Sequence, residues 1–146
     1  MTEKKGGAVM TQEAAKKRVL LIDDEEDFCY FVRKNLERTG AFEVMTATDA
    51  EQGIVMAREK VPDVILLDIV MPKLIGPRVA EALSSDPGTS RIPLIFVTAM
   101  VTQQEIGGGF MKDIGGHSFI AKPVRCENLV DAIRLVSGPK TAYRQE

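Results

Sequence analysis

Four carboxylates in a row, Asp23, Asp24, Glu25 and Glu26, follow the apolar run at 19–22 without a spacer. Two carboxylates about 4 Å apart repel by roughly 4 kcal/mol at an effective dielectric of 20. A chain that crowds them at the end of a core segment must offset that charge. Three other apolar runs also end on a residue that can do chemistry. Val64–Leu67 ends on Asp68, 94–97 on Thr98, and 119–121 on Lys122. If each run is a strand of one open α/β sheet, ligands bind outside the carboxyl ends of those strands. Three carboxylates, one hydroxyl and one ammonium then face one crevice. One lysine cannot neutralise three carboxylates, whereas a divalent cation can. Oxygen-only ligands favour a hard ion, and few protein ligands completed by water favour Mg2+. Asp68 is the candidate nucleophile, because a carboxylate can attack phosphorus to form an acyl phosphate. In that chemistry Lys122 pairs with one phosphoryl oxygen and the Thr98 hydroxyl bonds another.

The elements that must position these residues are legible in the apolar pattern. Residues 19–22 form a continuous apolar run of the kind buried on both faces of a sheet. Phe28, Phe31, Val32 and Leu36 recur at helical spacing, and Gly40 ends that helix. Glu25 and Glu26 are read as the acids that favour its N-terminus. Phe42–Ala47 is a more polar strand, expected nearer an edge. Thr48 or Asp49 offers an N-cap for a helix whose stripe is Ala50, Ile54 and Ala57. Residues 76–85 make a short helix with Val79, Ala80 and Leu83 inward. After Thr98 a helix is due, but residues 103–116 hold five glycines, each interior one costing roughly 1 kcal/mol against alanine. Leu129, Ile133 and Val136 stripe the last helix, which "SGP" terminates. Five strands alternating with five helical segments predict an α/β fold. It is a doubly wound five-stranded parallel sheet with helices on both faces.

A chain of 146 residues fits one domain. Residues 1–17 read as a flexible N-terminal tail, 18–138 as the domain, and 139–146 as a C-terminal tail. The net charge of −2 gives no electrostatic reason to bind nucleic acid or a membrane surface. No apolar run is long enough to insert in a bilayer, and the N-terminus has no secretory h-region, so the default location is cytoplasmic. Cys29 and Cys126 are expected to stay reduced. His117, the sole histidine, sits in "GGHS" and reads as an exposed loop residue, which leaves histidine triads and zinc centres little to build on.

The segments "LLIDDE", "VILLDIVMP" with Gly76 four after Pro72, "IFVTA" and "FIAKP" occur in order at strand ends. Together they resemble the signature set of bacterial two-component response regulator receiver domains, of the chemotaxis-regulator kind, over about 18–138. The resemblance implies a flavodoxin-like five-stranded sheet. It implies a phosphoryl group taken with Mg2+ from a sensor histidine kinase or a histidine phosphotransfer protein. By that resemblance Asp23 and Asp24 are the acidic pair and Asp68 the phosphoacceptor. Thr98 is the switch hydroxyl, Lys122 the phosphate-binding lysine and Phe119 the switch aromatic. The Val70 main-chain carbonyl is a further metal ligand, and the Lys122–Pro123 peptide is cis. Two features depart from the family: the glycine-rich stretch, and Val70 and Met100, which stand where members often carry polar groups that assist a hydrolytic water. The expected function is a phosphorylation-activated switch acting by contact with an unidentified downstream protein, with no direct nucleic-acid role. It is not an enzyme beyond assisting its own phosphoryl transfer and autodephosphorylation. A phosphorelay intermediate that feeds a histidine phosphotransfer protein is the alternative. A haloacid-dehalogenase-like aspartyl phosphatase also uses a strand-end Asp and Mg2+, but needs a second Asp where Val70 stands. A degenerate scaffold is opposed by the complete residue set.

Overall fold

The parallel sheet that the apolar runs predict is present in a computed structural model, which describes residues 15–71, 76–100, 102–107, 109–114 and 116–138. The chain runs β1 (Lys17–Ile22), α1 (Glu26–Arg38), β2 (Phe42–Ala47), α2 (Ala50–Lys60), β3 (Val64–Leu67), α3 (Gly76–Ser84) and β4 (Leu94–Thr98). It continues through α4 (Gln103–Ile106), β5 (Lys112–Ile114), β6 (His117–Ala121) and α5 (Cys126–Ser137). The sheet order is β2-β1-β3-β4-β6-β5, parallel throughout except for the β5–β6 pair. The more polar β2 lies at an edge, as its composition suggested. Of the two tails, residues 1–14 and 139–146 lie outside the described residues, as does Pro72 of the third motif.

Strand side chains alternate faces, and both faces are covered. Val19, Leu21, Val64, Leu66, Ile95 and Val97 pack with Cys29, Val32 and Leu36 of α1 and Leu129, Ala132 and Ile133 of α5. Leu20, Ile22, Ile65, Leu67 and Phe96 pack with Ala50 and Ala57 of α2 and Val79, Ala80 and Leu83 of α3. On α1 the buried stripe includes Cys29, while Phe31, predicted to face the core, is 40% exposed. A run of two phenylalanines around a small thiol allows either phase, and the narrower Cys29 takes the place against the sheet.

Among the described residues the five parallel strands predicted are present, and a sixth, antiparallel strand joins the edge. The helix due after Thr98 survives as one turn. Thr102 Oγ1 accepts from the Glu105 N–H at 3.0 Å, and Glu105 Oε1 accepts from the Thr102 N–H at 2.8 Å, a reciprocal capping box. Gly107, at φ +88°, ends the turn by donating to the Gln104 carbonyl. The chain then forms β5 antiparallel to β6, pairing Ile114 with His117 across two glycines. Gly116 holds φ +87°, a conformation that suits a tight hairpin. His117 is therefore an exposed strand residue, not a loop residue, and its ring meets Phe96 edge-on at 5.4 Å. Gly108 and Gly115, two of the five glycines, lie outside the described residues. Beside this segment a cavity of about 360 Å3 opens on the sheet face of α3, lined by Ile65, Ala80, Leu83, Leu94, Phe96 and Phe119.

Candidate functional site

Strand order reverses between β1 and β3, the point at which open α/β sheets form a ligand crevice beyond the strands' carboxyl ends. Ile22 and Leu67 are register partners, so the residues after them, Asp23 and Asp68, emerge side by side. The Asp68 N–H donates to the Ile22 carbonyl at 3.1 Å, which fixes that placement. One strand further, Thr98 and Ala121 are partners, and the Lys122 N–H donates to the Thr98 carbonyl at 2.9 Å. Continuation of the sheet's own ladder thus carries the acids, the hydroxyl and the lysine to one end.

Carboxylate oxygens of Asp23, Asp24 and Asp68 lie within 4.8 Å of one another, with Asp23 and Asp68 buried and Asp24 exposed. The Lys122 ammonium binds Asp23 Oδ2 at 2.8 Å and Glu25 Oε1 at 2.7 Å, and lies 3.7 Å from Asp68 Oδ2. It also sits 4.3 Å from the centroid of the Phe28 ring, a cation–π seat. Burial pushes the Asp23 carboxyl above its ordinary range. The hydrogen bonds from Lys122 and from the Glu25 N–H pull the other way without cancelling it, and the Asp68 charge adds to the rise. Burial pulls the Lys122 ammonium down, but the Asp23 and Glu25 hydrogen bonds and the Asp23 and Asp68 charges outweigh it and hold the group above its ordinary range. A buried carboxylate that desolvation still disfavours beside its own lysine is under-compensated. Three oxygen donors of this kind fit a hard divalent cation.

Thr98 is buried at the adjoining strand end, its Oγ1 accepting from the Met100 N–H at 3.1 Å. The Lys122–Pro123 peptide is cis. Phe119 is half-buried and stacks on Phe96 at 4.9 Å, so its ring lies along the cavity beside α3. Val70 and Met100 are exposed, at 55% and 62%. Gly76 closes the loop after Asp68: a Cβ there would sit 2.4 Å from the Asp68 carbonyl oxygen, and the Gly76 N–H donates to the Ile69 carbonyl at 2.6 Å. Only glycine fits that approach.

One residue at this site was assigned a different task by its sequence position. Glu25 occupies the N-cap of α1 but makes no side-chain cap bond, and its side chain reaches Lys122 instead. The Glu25 N–H is satisfied by Asp23 Oδ1 at 2.9 Å. Its partner lies 97 positions along the chain, so local spacing carried no signal of the contact. Asp49, likewise, is the N-cap of α2 without a side-chain cap bond.

Residues 19–134 match the family model described as the response regulator receiver domain. Protein PilH of Pseudomonas aeruginosa is 37% identical over 107 residues, which span 73% of this chain and 86% of that protein. Several transcriptional regulators match over 68–75% of this chain, which is less than half of their own length. Among solved structures, the chemotaxis protein CheY4 of Vibrio cholerae superposes with a TM-score of 0.70 at 26% identity, covering 84% of this chain and 99% of that one. The receiver domain of sensor histidine kinase PA1611 from Pseudomonas aeruginosa PAO1, solved with a magnesium ion in its active site cleft, gives 0.70 at 24% identity. That match covers 86% of this chain and all of the other.

Proposed function

The chain belongs to the family of response regulator receiver domains, and from that premise we propose that Asp68 is its phosphoacceptor. Receiver domains of two-component systems are phosphorylation-based switches that meet histidine kinases and downstream effectors and are generally not enzymes in their own right. In the reading advanced for this chain, an Asp68 carboxylate oxygen attacks the phosphorus of a phosphohistidine. The phosphorus–nitrogen bond breaks, its electron pair stays on the imidazole nitrogen, and that nitrogen takes up a proton. Lys122 pairs with a phosphoryl oxygen. Thr98 turns its hydroxyl from the Met100 N–H to another, and Phe119 follows the space that Thr98 vacates. Asp23, Asp24, Asp68 and the Val70 carbonyl would hold Mg2+, which supplies positive charge to the acceptor and the phosphoryl oxygens. The functional unit spans 18–138 and works in the cytoplasm as a switch on an unidentified downstream protein.

The observation that carries this reading is the convergence of three carboxylates within 4.8 Å beside one lysine. The test is labelling by a small acyl phosphate. Transfer should require Mg2+ and vanish in Asp68→Asn. Labelling that survives that change, or runs unchanged in chelator, sinks the assignment.

A further inference from the structure

Lys122 has three N–H donors. In the structure two of them serve Asp23 and Glu25, at 2.8 and 2.7 Å, while Asp68 lies 3.7 Å away, beyond hydrogen-bond reach. The two acceptors differ in kind. Asp23 is fully buried, and its other oxygen is tied to the Glu25 N–H. It cannot turn away without leaving a buried carboxylate unpaired. Glu25 has a side chain 61% exposed, so water can take over its oxygens at once. The backbone of Glu25 is extended at the start of α1 and its side chain makes no cap bond, leaving it to reach the Lys122 ammonium. A groove lined by Glu25, Phe28, Lys122 and Pro123 opens beside this contact.

We propose that Glu25 is a positioning residue that occupies Lys122 in the unmodified protein, standing where a phosphoryl oxygen will bind, and that it must release the ammonium when Asp68 is phosphorylated. The inference rests on the reading of Asp68 as acceptor, and deepens it. A phosphoryl group on Asp68 brings more negative charge than the bare carboxylate. Lys122 gains by turning towards it only by the difference between the two contacts, because a switch moves by differential interaction. Glu25 raises the value of the resting contact and so reduces that difference. It also places one more negative charge at the entrance used by an anionic donor. Both effects make Glu25 a brake on phosphorylation that acts through Lys122.

The experiment compares Glu25→Gln with Glu26→Gln in the full chain. Glu26 is the next residue, is also exposed, and makes no bond to Lys122 among those described. At saturating Mg2+, phosphorylation by phosphoramidate should be about three- to fivefold faster in Glu25→Gln, the size of a half-exposed ion pair. Glu26→Gln should stay within about twofold, as a through-space charge effect in salt. The affinity for beryllofluoride should rise with the rate, while the affinity for Mg2+ alone stays within about twofold. A direct readout is the NMR signal of the Glu25 carboxylate and the Lys122 ammonium. In the unphosphorylated state, Glu25→Gln should shift the Lys122 signal relative to wild type, and Glu26→Gln should not. On adding beryllofluoride to wild type, the Glu25 carboxylate should move to its solvent value. Equal acceleration in the two variants overturns the proposal, since charge alone would account for it. So does an unaccelerated Glu25→Gln, or one that loses Mg2+ affinity, which would make Glu25 part of the metal site. If wild type is not labelled on Asp68 at all, the acceptor assignment fails and the proposal falls with it. The Lys122 signal of the unmodified protein tells that failure from the loss of the Glu25 contact itself.

Discussion

At the scale of single residues, the Asp23–Lys122 ion pair should bear on stability as well as on the proposed switch. Lys122→Met leaves Asp23 buried with its Glu25 N–H bond but no ammonium. Losing one partner of a buried polar pair costs about 1–3 kcal/mol. Urea unfolding in chelator should show a folded protein weakened by about that amount, and Mg2+ should restore part of it, because a cation that binds only the folded state stabilises it by mass action. The same variant should lose its conformational response to beryllofluoride. A normal response would remove Lys122 from the mechanism. Val70 and Met100, two residues past Asp68 and Thr98, present exposed apolar side chains, with nothing to orient a water attacking the proposed acyl phosphate. The phosphorylated protein should therefore be long-lived, and Met100→Glu should shorten the lifetime. Turnover of wild type within seconds would contradict this. The acids, Thr98 and Lys122 were legible in the sequence because each directly ends an apolar strand. The contact of Glu25 was not, since a helix-start acid looks the same whether it faces the dipole or a lysine far along the chain.

At the scale of elements, the stretch between Thr98 and His117 holds the main difference between expectation and structure. The glycines signalled a weak helix, and the helix is one turn long. Two local cues were present in the sequence but were outweighed by the alternation of strands and helices. Thr102 and Glu105 stand at capping-box spacing, and two glycines between short polar runs mark a hairpin. A capping box satisfies the first N–H groups of a turn, yet cannot extend it through glycines that widen the unfolded ensemble. Amide exchange should therefore be fast across 102–114 in the unmodified protein, since one turn and a three-residue strand bury few backbone groups. Beryllofluoride with Mg2+ should slow it, if Phe119 moves and gives the stretch a surface to settle on. Gly109→Ala tests the cause. A Cβ there meets nothing nearer than 3.8 Å, so alanine should raise the basal protection by narrowing the unfolded ensemble, about 0.4–1 kcal/mol in such sites. Strong protection without the mimic would show that the glycines do not loosen the stretch. Mobility indifferent to the mimic would place the response on another face.

At the scale of the whole molecule, the doubly wound sheet and its two cores were legible because continuous apolar strands have to be covered on both sides. The count of strands was not, since β5 is three exposed residues with no apolar pattern to announce it. Yet β5 decides what the molecule shows its neighbours. A parallel sheet ending at β6 would present a row of unpaired backbone donors and acceptors next to Phe119 and Ile120, a template for another chain. β5 pairs with the His117–Phe119 part of that row, and its own outer rim is brief and charged, with Asp113 accepting from the Ser118 hydroxyl at 2.8 Å. A short, charged outer strand of this kind is one way sheets limit edge-to-edge pairing. Replacing Lys112 and Asp113 together by valine should leave the fold in place while making the edge sticky, seen as light scattering that rises more steeply with concentration than that of wild type. The same reasoning sets a cost on any opening that draws residues 112–114 away from the edge: while they are gone, the backbone of 117–119 that they pair is open to a second molecule, so whatever settles the stretch should also keep the protein soluble.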